Sequence, residues 1–541
     1  MCNLRSFFIA AVCGVCVCAA AVPASAQFDT ATVVGTVRDN TGGVIPGATV
    51  TLTNLDTGVA IVRVTEPNGS FEFITVRIGR YKMAAELQGF ATAVADNVQI
   101  TVGARQRVDL QLSPGQISET VQVTGAASVL ETDSSQRGQV ISARQAVELP
   151  LNGREYSALA LLSPGVRLSA LNTGGFTPRE GSFNVNGMRS TFNNFLLDGL
   201  DNNAYGTSNQ GFSNQVMQPS PDSVAEFKVV TNNMSAEYGR SGGATINVAY
   251  RSGTNRFSGA GWEFYRDTKL NAAGYFLPTT GGKPPLERNQ YGFAFGGPIL
   301  RNKAFFFADY ERFRQTRKLV AFQTIANPTQ RQGILAVDVR NPITGAVFAA
   351  GTPIPMTSFA QKVLSALPNP TRTTAALNYD LLQQFKSNND KYSGKADFQI
   401  KASLTAFVRY GYRKVDNVDD PPLPLPSGGA GNAITYVTSK QFGSGFTWAR
   451  SGSSLLEGRF GWSATQAGKN PHGLGTASAL DAYGITGLPT DPRIAGGLPT
   501  QLISGFSDLG RQATNPQWQY PTLVNTKLNY TWVRGRHSLK T

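Results

Sequence analysis

The sequence predicts a mainly β protein in three units: a small N-terminal β-sandwich, a central α+β unit, and the first part of a transmembrane antiparallel β-barrel. Three observations predict it. Beyond residue 256, segments of about ten residues alternate apolar and polar side chains, the period of strands with two unlike faces. The connectors between those segments alternate between short and long. The composition also suits strands, with 10% aromatic residues and 57 Gly in 541 residues.

The alternation is clearest at 403–414. Leu404, Ala406, Val408, Tyr410 and Tyr412 fall on one face, and Ser403, Thr405, Arg409, Gly411 and Arg413 on the other. At 455–464, Leu456, Phe460, Trp462 and Ala464 oppose Glu457, Arg459 and Ser463. At 523–533, Val524, Leu528, Tyr530 and Trp532 oppose Asn525, Lys527, Asn529 and Thr531. Segments 257–266, 291–297, 392–400 and 442–449 follow the rule less regularly. Half-buried strands of a soluble sandwich would also alternate. The connectors decide between the two: 301–303, 401–402, 451–453 and 534–536 are tight, whereas 268–287, 315–389, 415–437 and 466–519 are long. Short periplasmic turns and long outer loops mark an outer-membrane barrel, and only a closed barrel satisfies every backbone group of a sheet in lipid. Trp448 and Trp532 fall near the short turns, with Trp262, Tyr410, Tyr412 and Trp462 toward the long loops, as two aromatic girdles would. Arg312, Arg314, Arg317 and Lys318, with Arg413 and Lys414, sit at long-loop ends. They read as sites for outer-membrane lipid or lipopolysaccharide head groups, or as solvated loop bases. About nine strands are countable. Single-chain bacterial barrels have even strand numbers, so the strands are expected to continue past Thr541.

Ahead of the wall the chain divides as 1–26, 27–113, 114–127 and 128–250, with the wall as 251–541. Residues 1–26 read as a secretory signal peptide: Arg5, then an apolar run, then Ala24-Ser25-Ala26. The run is about 15 residues, short of the 20 or so that a spanning helix needs. Cys2, Cys13, Cys16 and Cys18 all lie within it, so the exported chain has no thiol chemistry. Residues 33–112 carry about seven short strands with turn signals, including DNTGG at 39–43 and a hairpin-type turn at Asn68-Gly69. A Pro-Gly linker leads to Glu119, Thr120, Val121, Gln122, Val123 and Thr124, an exposed alternating strand suited to pairing with a partner's sheet edge. The alternative is the first strand of the next domain. In 128–250, residues 140–149 and 156–162 read as short helices stopped by Pro150 and Pro164. Residues 181–203 mix Asn and Gly with Phe, Val, Leu and Met, as a compact unit with a thin core and a polar outside would. Strands follow at 223–230, with a charged flank, and within 238–248.

The formal net charge is +14. A basic balance can signal nucleic acid, but no basic helix is clustered and the leader directs export, so anionic lipid is the better partner. The only histidines, His472 and His537, are far apart, which argues against His-based catalysis or a His metal site. Asp198, Asp201, Asn202 and Asn203 are calcium-type ligands without the order of a calcium loop, and a polar loop explains them. Gly281-Gly282-Lys283 lacks the spacing of a phosphate loop. Asp309 and Glu311 share an inward face, where wall polarity explains them. No cofactor and no enzymatic activity are expected.

GTVRD at Gly35, PGATVTL at Pro46, TEPNGSF at Thr65 and GRYKM at Gly79 resemble the carboxypeptidase regulatory-like domain, which implies a transthyretin-like sandwich without peptidase activity. LPLNGREYSALALLSPGV at Leu149, FNVNGMRSTFNNFLLDGLDNN at Phe183, SVAEFKVVTNNMSAEYGRSGGATINV at Ser223 and GGPILRNKAFFFADYERFR at Gly296 resemble TonB-dependent outer-membrane receptors of the Oar-like type. The resemblance implies that 128–250 is a plug filling the lumen of a barrel of about 22 strands. Its plug signature maps to Asn152, Gly153, Arg154, Asn184, Asn186, Gly187, Arg189, Asp198, Gly199 and Asp201. Residues 119–124 look like the TonB box, grasped by a TonB-like energy-coupling protein, with Gln122 departing from the usual apolar residue. The implied activity is import of a surface-bound ligand into the periplasm. Sensing or adhesion on the same scaffold are the rivals. The ligand class stays open among glycan, peptide and metal chelate, with Tyr275, Phe276 and Tyr483 as candidate stacking residues.

Overall fold

The structure is a computed structural model that describes residues 30–115, 120–122, 134–169, 182–205, 213–234, 239, 242–275, 277, 282–429, 431, 433–451, 453–534 and 537–541. The leader lies outside them.

The N-terminal unit is built from β1 (Thr30–Asp39), β2 (Thr49–Asn54), β3 (Ala60–Val64), β4 (Ser70–Arg77), β5 (Gly79–Glu86), β6 (Thr92–Ile100), β7 (Arg105–Arg107) and β8 (Leu110–Leu112). One sheet centres on β1, flanked by β4, β7 and β8. The other runs β3-β2-β5-β6 and ends on β9 (Thr120–Gln122). Alternate residues of both sheets, among them Val33, Val50, Leu52, Phe73, Met83, Ile100 and Leu110, close one apolar core. Strand β3 was not foreseen, because it leaves Val62 and Val64 exposed at a sheet edge. Asn68-Gly69 joins β3 to β4, which lie in different sheets, so it is a crossover turn and not a hairpin. Strands β7 and β8 are separate because the Asp109 carboxylate accepts the Thr36 N–H at 2.8 Å in place of a backbone carbonyl.

The second unit has β10 (Arg137–Ser142), β11 (Val166–Leu168), β12 (Phe183–Val185), β13 (Asn194–Leu197), β14 (Leu200–Asp201), β15 (Val224–Asn232) and β16 (Thr245–Tyr250). Its main sheet runs β10-β15-β16-β13-β14. The helix expected over 140–149 starts only at Ala143, because Val140 and Ile141 pair with Lys228 and Phe227 of β15. Ser142 is its N-cap, with Gln145 completing a capping box. Residues Tyr156–Leu162 form a 3-10 helix. Ile141, Tyr156, Phe183, Phe195, Phe227, Val229 and Ile246 form the core.

The wall is one antiparallel sheet. Its path is β17 (Ser258–Asp267), β18 (Leu286–Leu300), β19 (Ala304–Gln323), β22 (Tyr379–Lys401), β23 (Leu404–Asp419), β24 (Ile434–Ser451), β25 (Ser454–Asn470), β27 (Thr522–Arg534) and β28 (His537–Lys540). Short β20 (Val339–Arg340) and β21 (Val347–Phe348) pair within one long connector, and β26 (Gln517–Gln519) adds to β25. The strands outrun the expected segments: β22 has 23 residues, against about 10 needed to cross hydrocarbon. The connector expected at 315–389 is therefore only 324–378. Along β23, Val408 and Tyr410 are 41% and 48% exposed, whereas Arg409 between them is 2% exposed. Tyr310, Tyr392 and Tyr412 pack as tilted rings across neighbouring strands, with ring centroids 4.8 and 6.0 Å apart. This girdle sits mid-strand because the strands continue past it. Two expectations fail here. Arg413 is buried on the inner face and not free for head groups. Trp262 also faces inward, under Arg154; Glu263 and Asp267 of β17 fall on the opposite face, so charge does not mark the inner one.

The connectors 324–378, 420–433 and 471–521 fold together over a small core of Ile325, Leu367, Leu423, Leu498 and Leu509. No helix among the described residues is long and apolar enough to cross a membrane.

Candidate functional site, the interface between plug and wall

The hairpin joining β13 to β14 turns on Asp198 and Gly199, with φ of 49° and 75°. Two consecutive left-handed residues make the tight turn that matches strand twist, and Asp and Gly adopt it at low strain. The turn drives the Asp198 carboxylate into the wall, where it is fully buried. It lies 3.1 Å from Lys395 of β22 and 3.1 Å from Arg409 of β23, and accepts the Tyr250 N–H at 2.9 Å. Arg409 also donates to Gln441 at 3.0 Å, and Gln441 to the Asp201 carbonyl at 3.0 Å. Lys527 of β27 donates to the Gly199 carbonyl at 3.2 Å. One plug turn thus engages four wall strands.

A second node forms on Arg154, held at φ 55° after the Asn152-Gly153 turn. Its guanidinium pairs with Asp222 of the plug and with Glu311 of β19, the latter at 2.9 Å. Lys391 of β22 lies 3.3 Å from the same Glu311. The guanidinium also rests on Trp262 and Phe264, 4.8 and 4.9 Å from the ring centroids. Asp309, one inward position below Glu311, accepts from Ser220 at 3.0 Å and from the Tyr250 hydroxyl. Asn152 accepts from Arg288 at 2.5 Å, and the Gly153 carbonyl from Gln290 at 3.2 Å. Asp309 and Glu311 are therefore plug anchors, a sharper role than wall polarity. A buried cation and anion on opposite bodies hold tightly while both are present, and leave an uncompensated charge when one is withdrawn.

The remaining signature residues work inside the plug. Asn186 and Gly187, at φ 49° and 82°, form the turn after β12, and Asn186 donates to the Thr231 carbonyl at 3.0 Å. Asn184 lies within β12. Arg189 is exposed and stands just ahead of a short 3-10 turn without a side-chain capping bond. Asp201 accepts from the Asn203 N–H at 2.8 Å, and Asn202 binds both the N–H and the carbonyl of Met217. The oxygens of Asp198, Asp201, Asn202 and Asn203 thus diverge toward different partners.

The sandwich is part of the same interface. Arg77 lies 3.3 Å from Asp397 of β22, and Asn255 donates to the Thr57 carbonyl at 2.8 Å. The Val102 N–H donates to the Glu226 carboxylate of β15, and Lys228 donates to the Gly103 carbonyl at 3.4 Å. The charged flank of β15 is thus buried against the sandwich. Burial pushes Glu226 up to about 7, partly offset by the Val102 N–H and by Lys228. A cavity of about 630 Å³ remains between sandwich, plug and wall, bordered by Arg63, Arg77, Arg251, Lys395 and Arg459.

Of the six-residue candidate handle, Thr120–Gln122 is described, and it pairs parallel to β6; Glu119, Val123 and Thr124 lie outside the described residues. It is neither a free strand nor the first strand of the plug sheet. Among the candidate stacking aromatics, Tyr275 is 95% exposed. Tyr483 packs edge-on against Phe359 at 5.7 Å and under Lys362, so it belongs to the loop core. Phe276 lies outside the described residues. Arg312 and Arg314 pair with Asp390 at 3.6 and 2.8 Å on the outer face, and Lys414 with Asp416 at 3.3 Å. Sequence reading missed Asp222, Lys391 and Lys395. Each is a charge on an inner or plug surface whose partner lies far away in the chain.

Three family models match in chain order: a carboxypeptidase regulatory-like domain over 32–113, a TonB-dependent receptor plug domain over 131–246, and an outer membrane beta barrel domain over 249–541. The last covers more than half of the 541 residues. The chain belongs to the outer membrane β-barrel family, and with a plug in front of the wall it is a TonB-dependent receptor of the outer membrane. Its domain order is that of the Oar-like type. The TonB-dependent transporter Oar of Myxococcus xanthus is 28% identical over 332 residues, which take in 57% of this chain and 30% of that protein. Among solved structures, the outer membrane transporter YddB from Escherichia coli aligns with a TM-score of 0.47 at 12% identity, covering 74% of this chain and 46% of that one. The siderophore receptor PirA from Acinetobacter baumannii aligns with a TM-score of 0.40 at 14% identity, covering 73% and 45%. The chain thus spans less than half the length of each of these relatives.

Proposed function

We propose that this chain forms the receptor and gate of an importer that binds a ligand at the cell surface and admits it to the periplasm, driven by a TonB-like protein of the inner membrane. The observation that carries this reading is the make-up of the plug's grip on the wall. Asp198 and Arg154 hold the plug through buried ion pairs and hydrogen bonds, contacts that water can replace when the plug shifts. A permanently seated plug would be better served by a dry apolar seam. The proposed handle is 119–124, in the linker 114–127 ahead of the plug at 128–250, with 27–113 as the regulatory-like sandwich and 251–541 as wall. Outer-membrane lipid or lipopolysaccharide is the proposed neighbour of Arg312, Arg314 and Lys318. The ligand would meet the folded outer loops, where a cavity of about 360 Å³ is lined by Asp420, Pro426, His472, Leu498 and Arg511. A glycan or peptide is favoured over a metal chelate.

Deleting 119–124 from the intact receptor tests the reading. Uptake should stop while ligand binding at the surface survives. Unchanged uptake would refute it. A sensing role has one observation of its own, the seating of the sandwich on Glu226 and Lys228 of the plug. Removing 27–113 should then silence an output while uptake persists.

A further inference from the structure

We infer that the sandwich is the resident partner of the coupling strand: it stores Thr120–Gln122 on its own sheet, and the segment engages the energy-coupling protein only after leaving that sheet. This rests on the reading of 119–124 as the partner's handle.

Backbone pairing holds the segment in place. Strand β9 lies parallel to β6, with Thr92 opposite Thr120, Ala93 opposite Val121 and Val94 opposite Gln122. The chain reaches that position along the same edge. The Ala91 N–H donates to the Ser113 carbonyl at 2.9 Å, Phe90 bridges to Pro114, and the Gly115 N–H donates to the Gly89 carbonyl at 3.3 Å. Without β9, the start of β6 would be a sheet edge with unpaired backbone groups, a template for any extended peptide. The sandwich therefore fills its own strand-addition site with the segment that a partner is to take by strand addition.

The exchange is favoured by length and geometry. The stored ladder covers three residues and is parallel, the slightly weaker pairing per residue. A partner strand that pairs along the whole of 119–124 makes more backbone bonds than are broken. While β9 stays on β6, one of its two edges is occupied and the body of the sandwich stands beside it.

The far end of the same strand touches the plug. β6 ends at Ile100, and the next turn carries the Val102 N–H that meets Glu226 and the Gly103 carbonyl that meets Lys228. One strand of nine residues thus holds the coupling segment at its start and reaches plug strand β15 just past its end. A shift of β15 when ligand seats on the plug would be felt by the strand that stores the handle.

The sequence has no cysteine beyond Cys18, so an engineered pair is free of competing thiols in 19–541. Val94→Cys with Gln122→Cys places two thiols on facing residues, and Thr92→Cys with Thr120→Cys does the same two residues earlier on the same face of the ladder. The full receptor in detergent would be titrated with the purified periplasmic domain of its TonB-type partner, oxidised and then reduced with dithiothreitol. The disulfide should form without added ligand, and the oxidised receptor should bind at least tenfold more weakly, recovering fully on reduction. Failure of both pairs to cross-link, or equal binding in both states, would overturn the inference. Deleting 119–124 separates the two readings. If the deletion leaves binding intact, the handle assignment itself is wrong. If it abolishes binding while the cross-linked receptor still binds, only the storage inference is wrong.

Discussion

Asp198 concentrates the chemistry of the interface in one side chain. Its left-handed backbone is tolerated by Asn as well as by Asp, so Asp198→Asn removes the charge and keeps the turn. Lys395 and Arg409 then lose their shared counter-ion inside the wall. Breaking one side of a buried pair costs about 3–5 kcal/mol, and the plug should show faster amide exchange in β13 and β14 with the wall unchanged. Glu226 gives a pH test. Its docked carboxyl is pushed up to about 7 by burial, whereas the undocked, solvated group titrates near 4.5. A raised acid binds its proton more tightly when docked, so docking is fully favoured below about 4.5, weakens as pH rises to about 7, and is flat above that. The swing is roughly 3 kcal/mol. Protection of the turn at 101–103 should fall across that window, and Glu226→Gln should abolish the dependence. A pH-independent protection in the parent would contradict the burial of that carboxyl.

At the scale of elements, the hairpin of β13 and β14 depends on its turn. Gly199→Val puts a β-branched residue at φ 75°, a conformation that costs such residues about 1–2 kcal/mol or more. It should loosen the same two strands as Asp198→Asn while leaving both wall cations paired to a carboxylate. Elements were legible where one local rule held. The alternation at 403–414 located β23 and its faces because the inner residues are mostly polar or Gly (Thr405, Arg409, Gly411, Arg413), with Phe407 the apolar exception, and the outer ones are Leu, Ala, Val and Tyr. The 140–149 helix was misplaced at its start because Val140 and Ile141 fit either period, and only pairing with β15 decides between them. β3 was missed because its burial alternates but its hydrophobicity does not: Val62 and Val64 are exposed, while Ile61 and Arg63 share the half-buried face. Trp262 was assigned outward because an aromatic near a loop end suits both a girdle and a plug contact.

For the whole molecule, the membrane wall followed from connector lengths, a property of the chain at long range that survives local ambiguity, and the two units ahead of it from their own strand, turn and helix patterns. The ion-pair partners did not follow. Glu311 meets Arg154 across 157 positions of sequence, and no spacing rule links residues brought together by a barrel closing around a plug. The sandwich's hold on both the plug and the coupling strand was equally invisible, since it rests on a single turn and three backbone pairs.

The central claim is that one face of each wall strand meets lipid while the other meets a polar plug. Spin labels placed singly along 404–412 in the receptor, reconstituted in bilayers, measure it through collision with oxygen, which concentrates in hydrocarbon, and with a water-soluble nickel chelate. The account predicts a period of two. Labels at Val408 and Tyr410 should be open to oxygen, and labels at Phe407, Arg409 and Gly411 shielded from it. Shielding on both faces, as in a dry two-layer core, would contradict it.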